Sequence, residues 1–213
     1  GGDSLATHTW FMSSSSPQAP RTEAPRPSTS CRLPSSPALL VVIHQTGPTH
    51  AADQAELAMH HRADGVWLIN HYDPPKSLAA ATAAVRDRLG DEPWVGINPL
   101  GLDAVDAARL ARSIAGVDGL WCDDAGIDPL AGIDQPFAAA VLDELGDWEG
   151  SYFGGVAFKY QSAVEPEFEA IAAATAAPWM SVVCTSGPAT GRAADLAKLE
   201  RMARGAGATP LAV

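Results

Sequence analysis

The sequence predicts an α/β protein with the fold of a (β/α)8 TIM barrel, cut off at its C-terminal end after the start of strand seven. Seven short apolar runs recur along residues 38–213, and alanine-rich stretches separate them. The runs are continuous rather than alternating, which is typical of parallel strands buried on both faces. Polar residues follow the ends of most runs, as expected where parallel strands share one central mouth.

The predicted strands are Leu39–His44, Val66–Asn70, Trp94–Asn98, Gly119–Cys122, Tyr152–Lys159, Trp179–Thr185 and Pro210–Val213. The segments between them carry helix signals: Ser77 and Asp103 can cap helices, and Gly90 and Gly146 follow the ends of apolar stripes. An open doubly wound sheet is the alternative. Its first strand normally leads into a glycine-rich nucleotide loop, and the segment 44–48 is no such loop.

The chain divides into two regions by composition. Residues 1–37 are rich in serine, proline and threonine, so we predict a disordered leader. Residues 38–213 form the predicted barrel domain. The chain starts with Gly1 rather than Met, and the segment Thr209–Val213 has the pattern of a strand that is just beginning. We therefore expect the barrel domain to be incomplete.

Charge and composition limit the classes of partner. The net charge is −11, which argues against the clustered lysine and arginine of nucleic-acid binding. No apolar run is long enough to span a membrane. The three cysteines are far apart in sequence, which favours a reducing compartment and a cytoplasmic location. The pattern identifies no metal site and no cofactor, and it leaves homo-oligomerisation open.

Four residues near strand ends are the catalytic candidates. Lys159 ends an apolar run, so it can carry an anion or, if desolvated, form a Schiff base. His44 and Asp123 are candidate acid–base groups, and Asn98 can orient a substrate carbonyl or hydroxyl. Each of these residues could instead be structural, with Lys159 neutralised by Asp123 or Asp124. Convergence of all four on one barrel mouth favours a functional site.

The segment after predicted strand six has the composition of a phosphate-binding loop. Thr185, Ser186 and Thr190 supply hydroxyl groups, and Gly187 and Gly191 let backbone N–H groups approach a ligand. A helix is expected beyond, and its N-terminus would add the positive end of its dipole. The alternative interpretation is an ordinary turn with a serine or threonine cap.

Several of these motifs resemble the BtpA-like family of TIM-barrel proteins. The resemblance is most specific in Phe153–Gln161 and Thr185–Gly191, continues in Pro210–Val213, and is looser in Val42–His44 and Val95–Asn98. It implies an aldolase-type barrel of the ribulose-phosphate-binding kind and a phosphorylated or ribosylated small molecule as ligand. The resemblance implies functional roles most directly for Lys159, Thr185, Gly187, Thr190 and Gly191. It implies them less directly for His44 and Asn98.

Two functions follow as hypotheses. The first is an enzyme, of lyase, isomerase or phosphoribosyltransferase-like type, that acts on a small phosphorylated substrate at the carboxyl ends of the strands. The second is a non-catalytic assembly factor that retains an anion pocket, because one BtpA-like protein is linked to photosystem I assembly. The sequence names neither the substrate nor the reaction.

Overall fold

The computed structural model describes residues 37–213, so almost all of the predicted leader lies outside the described residues. The strands are β1 (Leu40–His44), β2 (Gly65–Ile69), β3 (Trp94–Asn98), β4 (Gly119–Cys122), β5 (Ser151–Gly155), β6 (Val182–Cys184) and β7 (Leu211–Ala212). The helices are α1 (Pro48–His60), α2 (Ser77–Leu89), α3 (Ala104–Ser113), α4 (Pro136–Leu145), α5 (Pro166–Ala176) and α6 (Leu196–Ala206). None of these helices is long and apolar enough to cross a membrane.

The strands form one parallel sheet in which every strand pairs with its neighbours in sequence order, from β1 to β7. A doubly wound sheet reverses its strand order at a switch point, and no reversal occurs here. The sheet is therefore the curled, barrel-like alternative, consistent with a truncated barrel, and the predicted α/β class is confirmed. All carboxyl ends of the strands lie at one edge.

The outer face of the sheet packs against a layer of alanine-rich helices. The larger apolar core combines strand residues such as Val66, Leu68 and Ile97 with buried helix alanines such as Ala55 and Ala108. Small side chains at the buried helix positions let the helices lie close to the strands. This packing stabilises the layer through removal of apolar area from water, at roughly 25 cal/mol per Å².

The opposite face carries a second cluster that contains no helix residue. Trp67, Trp94 and Phe153 pack edge to face, with ring centroids 4.8 Å apart for the two indoles and 4.9 Å apart for Trp67 and Phe153. Gly96 and Gly119 provide the space for these rings, because a Cβ atom at either position would overlap with Trp67 or Trp94. The inside of the curl is therefore a packed aromatic core.

Strand β5 ends earlier than the sequence predicts. The strand predicted to reach Lys159 ends at Gly155, and the chain turns at Ala157 and Tyr160, which have positive φ angles of 48° and 68°. Gly155 lies against the backbone of Asp123, so the β4 and β5 connections crowd each other there. The Val156 N–H still donates to the Cys184 carbonyl oxygen at 2.8 Å, and the chain turns away from the sheet at Ala157.

Other predicted boundaries also differ. The strand predicted from Trp179 begins at Val182, because residues 177–179 form a short 3-10 helix. Asp103 caps α3 as predicted, accepting a hydrogen bond of 2.9 Å from the Asp106 N–H. Ser77 is not the cap of α2: it is the first residue of the helix, and its hydroxyl accepts a hydrogen bond from a buried glutamine side chain.

Candidate functional site

Asn98 and Asp123 meet at the carboxyl edge of the sheet. Asn98 ends β3 and is buried, and Asp123 follows β4 directly. The Asn98 Nδ2 atom donates a hydrogen bond of 2.9 Å to Asp123 Oδ1. In the described residues no donor contacts the second carboxylate oxygen, Oδ2. The pair thus fixes the direction of the carboxylate while leaving one oxygen for a ligand.

This pair contributes to the wall of an open cavity of about 440 Å³. The cavity lies between the β3–α3 and β4–α4 connections, and its charged lining residues are Asp103, Asp123 and Asp124. No lysine or arginine belongs to that lining. The chemistry available here is that of carboxylates and an amide, which suits proton transfer and binding of hydroxyl groups.

Gln161 connects the β5–α5 connection to the site. Its Nε2 atom donates to the Asp123 carbonyl oxygen at 3.1 Å and to Asp124 Oδ1 at 3.0 Å. Its Oε1 atom accepts a hydrogen bond of 2.8 Å from the Phe158 N–H. The amide of Gln161 therefore holds the segment that carries Lys159 against the end of β4.

Lys159 lies in this segment rather than at a strand end, which corrects its predicted position. Its ammonium group is 5.8 Å from the centroid of the Phe158 ring and 5.9 Å from that of Tyr160. The ion pair with Asp123 or Asp124, which was the structural alternative for Lys159, does not form, and the ammonium makes no hydrogen bond within residues 37–213. Lys159 is half-buried, so a positive charge without a carboxylate partner stands at the mouth of the sheet.

The structure brings Lys159 and the predicted phosphate loop together. The backbone N–H of Lys159 donates a hydrogen bond of 2.7 Å to Ser186 Oγ, and the Tyr160 hydroxyl is 3.0 Å from Thr190 Oγ1. Thr185 is buried, and its hydroxyl donates to the Ala157 carbonyl oxygen at 3.2 Å. All three predicted hydroxyl groups therefore contact the β5–α5 connection.

The outer part of the loop is exposed. Thr190 and Gly191 are accessible to solvent, and Gly191 has a φ angle of +73°. Gly187 is buried against the backbone of Arg192, where a Cβ atom would overlap with the Arg192 carbonyl. Helix α6 begins only at Leu196, after the loop has ended. The N-terminal N–H groups of α6 are consequently less available to a ligand, because the carboxylate of the N-cap residue Asp195 accepts a hydrogen bond of 3.3 Å from the Ala197 N–H.

Lys198 is a cation that the sequence analysis missed. Its ammonium group donates hydrogen bonds to the carbonyl oxygens of Ala157 at 2.6 Å and Ser186 at 2.8 Å. Partial burial lowers the pKa of Lys198, and the nearby Glu169 opposes that effect. The sequence pattern of α6 shows only its apolar stripe. The contact of Lys198 with the ends of the strands depends on where the first turn of α6 lies in the fold, which the sequence pattern does not give.

His44 does not join this network. It ends β1, is exposed, and packs edge to face with His71 at a centroid distance of 5.2 Å. Two other polar residues after strands are structural. Gln45 is fully buried and donates to Ser77 Oγ at 2.9 Å, and Asn70 accepts a hydrogen bond of 2.7 Å from the Leu100 N–H.

Cys122 and Cys184 are buried beneath the site. Burial and the negative charge of Asp123 raise the pKa of both thiols well above the usual range. Neither can form a thiolate near neutral pH. This agrees with the expectation that a buried strand cysteine is inert.

Several solved structures have a fold similar to that of this chain. The L-Ala-D/L-Glu epimerase from Bacillus subtilis superimposes with a TM-score of 0.58 at 13% identity, over 82% of this chain and 45% of that one. An enolase from an alpha-proteobacterium, solved with bound magnesium, has a TM-score of 0.56 at 19% identity, over 82% and 46%. The dipeptide epimerase from Enterococcus faecalis has a TM-score of 0.54 at 11% identity, over 80% and 45%. This chain thus spans less than half the length of these structures.

No family model matches the chain, and no curated protein does. The similar structures are named as epimerases and as an enolase, none as a BtpA-like protein, and at these identities they show the fold alone. The resemblance to the BtpA-like family, and with it the aldolase-type assignment, is therefore wrong. Short glycine- and threonine-containing motifs after strands arise in many barrels, because strand ends share the same backbone requirements.

Magnesium in the similar enolase structure raises the question of a metal here. Within residues 37–213 no three His, Cys, Asp or Glu side chains lie close enough together to hold a metal ion. Asp123 pairs with Asn98, and Asp124 accepts hydrogen bonds from Gln161 and from the Gly126 N–H. The described residues do not fit a magnesium site with three such ligands, and we assign no metal to them.

Proposed function

We propose that residues 38–213 supply seven of the eight strands of a TIM-barrel enzyme, and that the enzyme binds a small phosphorylated or ribosylated substrate at the carboxyl ends of its strands. The observation that carries the proposal is the division of charge at this edge. Asp123 lies over β4 with one free carboxylate oxygen, and Lys159 stands over β5 with no acidic partner. Gln161 joins the two segments.

An unpaired lysine is informative in this chain because acidic residues outnumber lysine and arginine by 25 to 14. A bound anion would neutralise the charge of Lys159. Charge-assisted hydrogen bonds to phosphate are among the stronger polar contacts in proteins. Thr190 and Gly191 are exposed, and Thr190 contacts Tyr160, the residue that follows Lys159. We therefore place the phosphate of the substrate between Lys159 and this loop.

The hydroxyl-bearing part of the substrate would then lie toward Asp123. With Oδ1 held by Asn98, the free Oδ2 atom is oriented to accept a proton from a substrate hydroxyl or an activated carbon. The chemistry is a general acid–base step of the kind that a lyase, an isomerase or a transferase uses. No observation on the described residues favours the non-catalytic assembly factor.

The test is calorimetric titration of the full chain with ribose 5-phosphate, ribose and inorganic phosphate. We expect ribose 5-phosphate to bind more tightly than either fragment. Lys159→Gln should weaken its binding by about tenfold or more, since the variant removes a charge-assisted contact. Asp123→Asn should weaken binding of ribose and leave binding of inorganic phosphate unchanged.

Lys76→Gln is the matched control, because Lys76 is an exposed lysine at the start of α2, outside the β4 to β6 edge. It should bind ribose 5-phosphate like the unaltered chain. Equal affinity for ribose and ribose 5-phosphate would contradict the proposal. So would equal losses in the Lys159→Gln and Lys76→Gln variants.

A further inference from the structure

A second and larger cavity, of about 630 Å³, lies beside the first. The β4–α4 connection, the β5–α5 connection and α5 enclose it, and only Asp124 and Gly126 line both cavities. Its volume is in the range of cavities that bind small molecules. The proposed function makes no use of this space.

The body of this cavity is apolar. Large aliphatic and aromatic side chains from both connections and from α5 line it, among them Ile127, Leu130, Val164 and Phe168. Leu130 is 81% exposed and Phe168 is 39% exposed, although both are apolar. An apolar ligand would remove these side chains from water, which is favourable by roughly 25 cal/mol per Å² of apolar area covered.

The charged residues that line the cavity all carry the same sign. Its charged lining residues are Asp124, Asp128 and Glu165, and no lysine or arginine lines it. Asp128 uses Oδ1 to accept a hydrogen bond of 2.9 Å from the Leu130 N–H, which leaves Oδ2 available. The carboxylate of Glu165 makes no hydrogen bond or ion pair within residues 37–213, although Glu165 is the N-cap residue of α5.

We infer that this cavity binds a ligand with an apolar body and a positively charged amine, of the size of an arylalkylammonium ion. The apolar walls would cover the ring, and the carboxylates of Asp128 and Glu165 would pair with the ammonium group. Anions of the same shape would be repelled, because no lining cation offsets the carboxylates. The cavity borders the proposed phosphate site, because Tyr160 lines the cavity and contacts Thr190 of the loop. The two sites take ligands of opposite charge, so their ligands test them separately.

The experiment titrates the full chain with phenethylammonium and follows binding by NMR line shifts or calorimetry. Its neutral and anionic analogues, 2-phenylethanol and 3-phenylpropionate, are titrated in parallel. We expect saturable binding in the order ammonium, alcohol, carboxylate, with the ammonium affinity falling as salt is added. The Asp128→Asn and Glu165→Gln variants should each bind phenethylammonium about fivefold more weakly.

These two substitutions keep the shape of each side chain, and asparagine at 128 retains the oxygen that accepts from the Leu130 N–H. Asp134→Asn is the matched control, because Asp134 is an exposed carboxylate in the same connection but outside the cavity lining. It should leave the affinity unchanged. Absence of saturable binding, equal affinity for all three analogues, or an equal loss in Asp134→Asn would each overturn the inference.

Discussion

The ammonium group of Lys198 donates a hydrogen bond of 2.6 Å to the carbonyl oxygen of Ala157, although 41 residues separate them in sequence. Ala157 has a positive φ angle of 48°, which is uncommon for a residue other than glycine. The same ammonium also binds the Ser186 carbonyl oxygen at 2.8 Å. Lys198 therefore links the β5–α5 connection, which contains Lys159, to the end of β6.

The first prediction concerns the two hydrogen bonds donated by Lys198. Lys198→Met keeps the length of the side chain but leaves the Ser186 carbonyl oxygen without this donor and the Ala157 carbonyl oxygen with the Thr185 hydroxyl alone. We expect the free energy of unfolding in urea to fall by about 1–2 kcal/mol, and amide exchange in residues 156–162 to accelerate. Lys76→Met is the control, because Lys76 is exposed. Unchanged exchange in residues 156–162 would show that Lys198 does not hold this segment.

The second prediction concerns the aromatic core inside the sheet. A methyl group at Gly119 would overlap with the indole of Trp94, so Gly119→Ala should lower the free energy of unfolding by about 1–3 kcal/mol. Trp94→Phe removes the outer ring atoms that cause the overlap. The double variant should consequently lose less than the sum of the two single losses. Strict additivity in this double-mutant cycle would refute the steric explanation.

The third prediction concerns thiol chemistry. Cys122 and Cys184 are buried, and burial raises the pKa of both. In a Cys31→Ser variant we expect no reaction with a thiol-specific disulfide reagent at pH 8 under native conditions. Both thiols should react once guanidinium unfolds the chain. Rapid reaction of either thiol in the folded chain would mean that β4 or β6 opens locally.

The fourth prediction concerns pH. The hydrogen bond with Thr190, together with the positive charge of Lys159, lowers the pKa of Tyr160 from its usual value near 10. Tyr160 therefore ionises at a lower pH in the folded chain than in the unfolded chain. Relative to Tyr160→Phe, the folded chain should gain stability as the pH rises through the Tyr160 pKa, and this gain is absent near neutral pH.

Absorbance at 295 nm measures this ionisation directly. The difference between the titrations of the unaltered chain and Tyr160→Phe isolates Tyr160, and its midpoint should lie below 10. Thr190→Val removes the hydroxyl donor and should move the midpoint upward. A midpoint that stays in place in Thr190→Val would assign the shift to Lys159 rather than to Thr190.

The order of residues predicted the sheet well where strands are buried on both faces. The strands at 94–98 and 119–122 have the predicted bounds, because short continuous apolar runs are typical of parallel strands buried on both faces. The strand predicted to end at Lys159 was wrong, since the chain turns at Ala157, whose carbonyl oxygen accepts hydrogen bonds from the distant residues Thr185 and Lys198.

The same division holds for the candidate site. Asn98 and Asp123 were identified as polar residues at the ends of strands, a local property that the chain order specifies completely. Their hydrogen bond, the missing carboxylate partner of Lys159, and the reach of Lys198 across two connections depend on how far the sheet curls. Only tertiary structure decides these, because each joins segments whose separation in space no local pattern encodes.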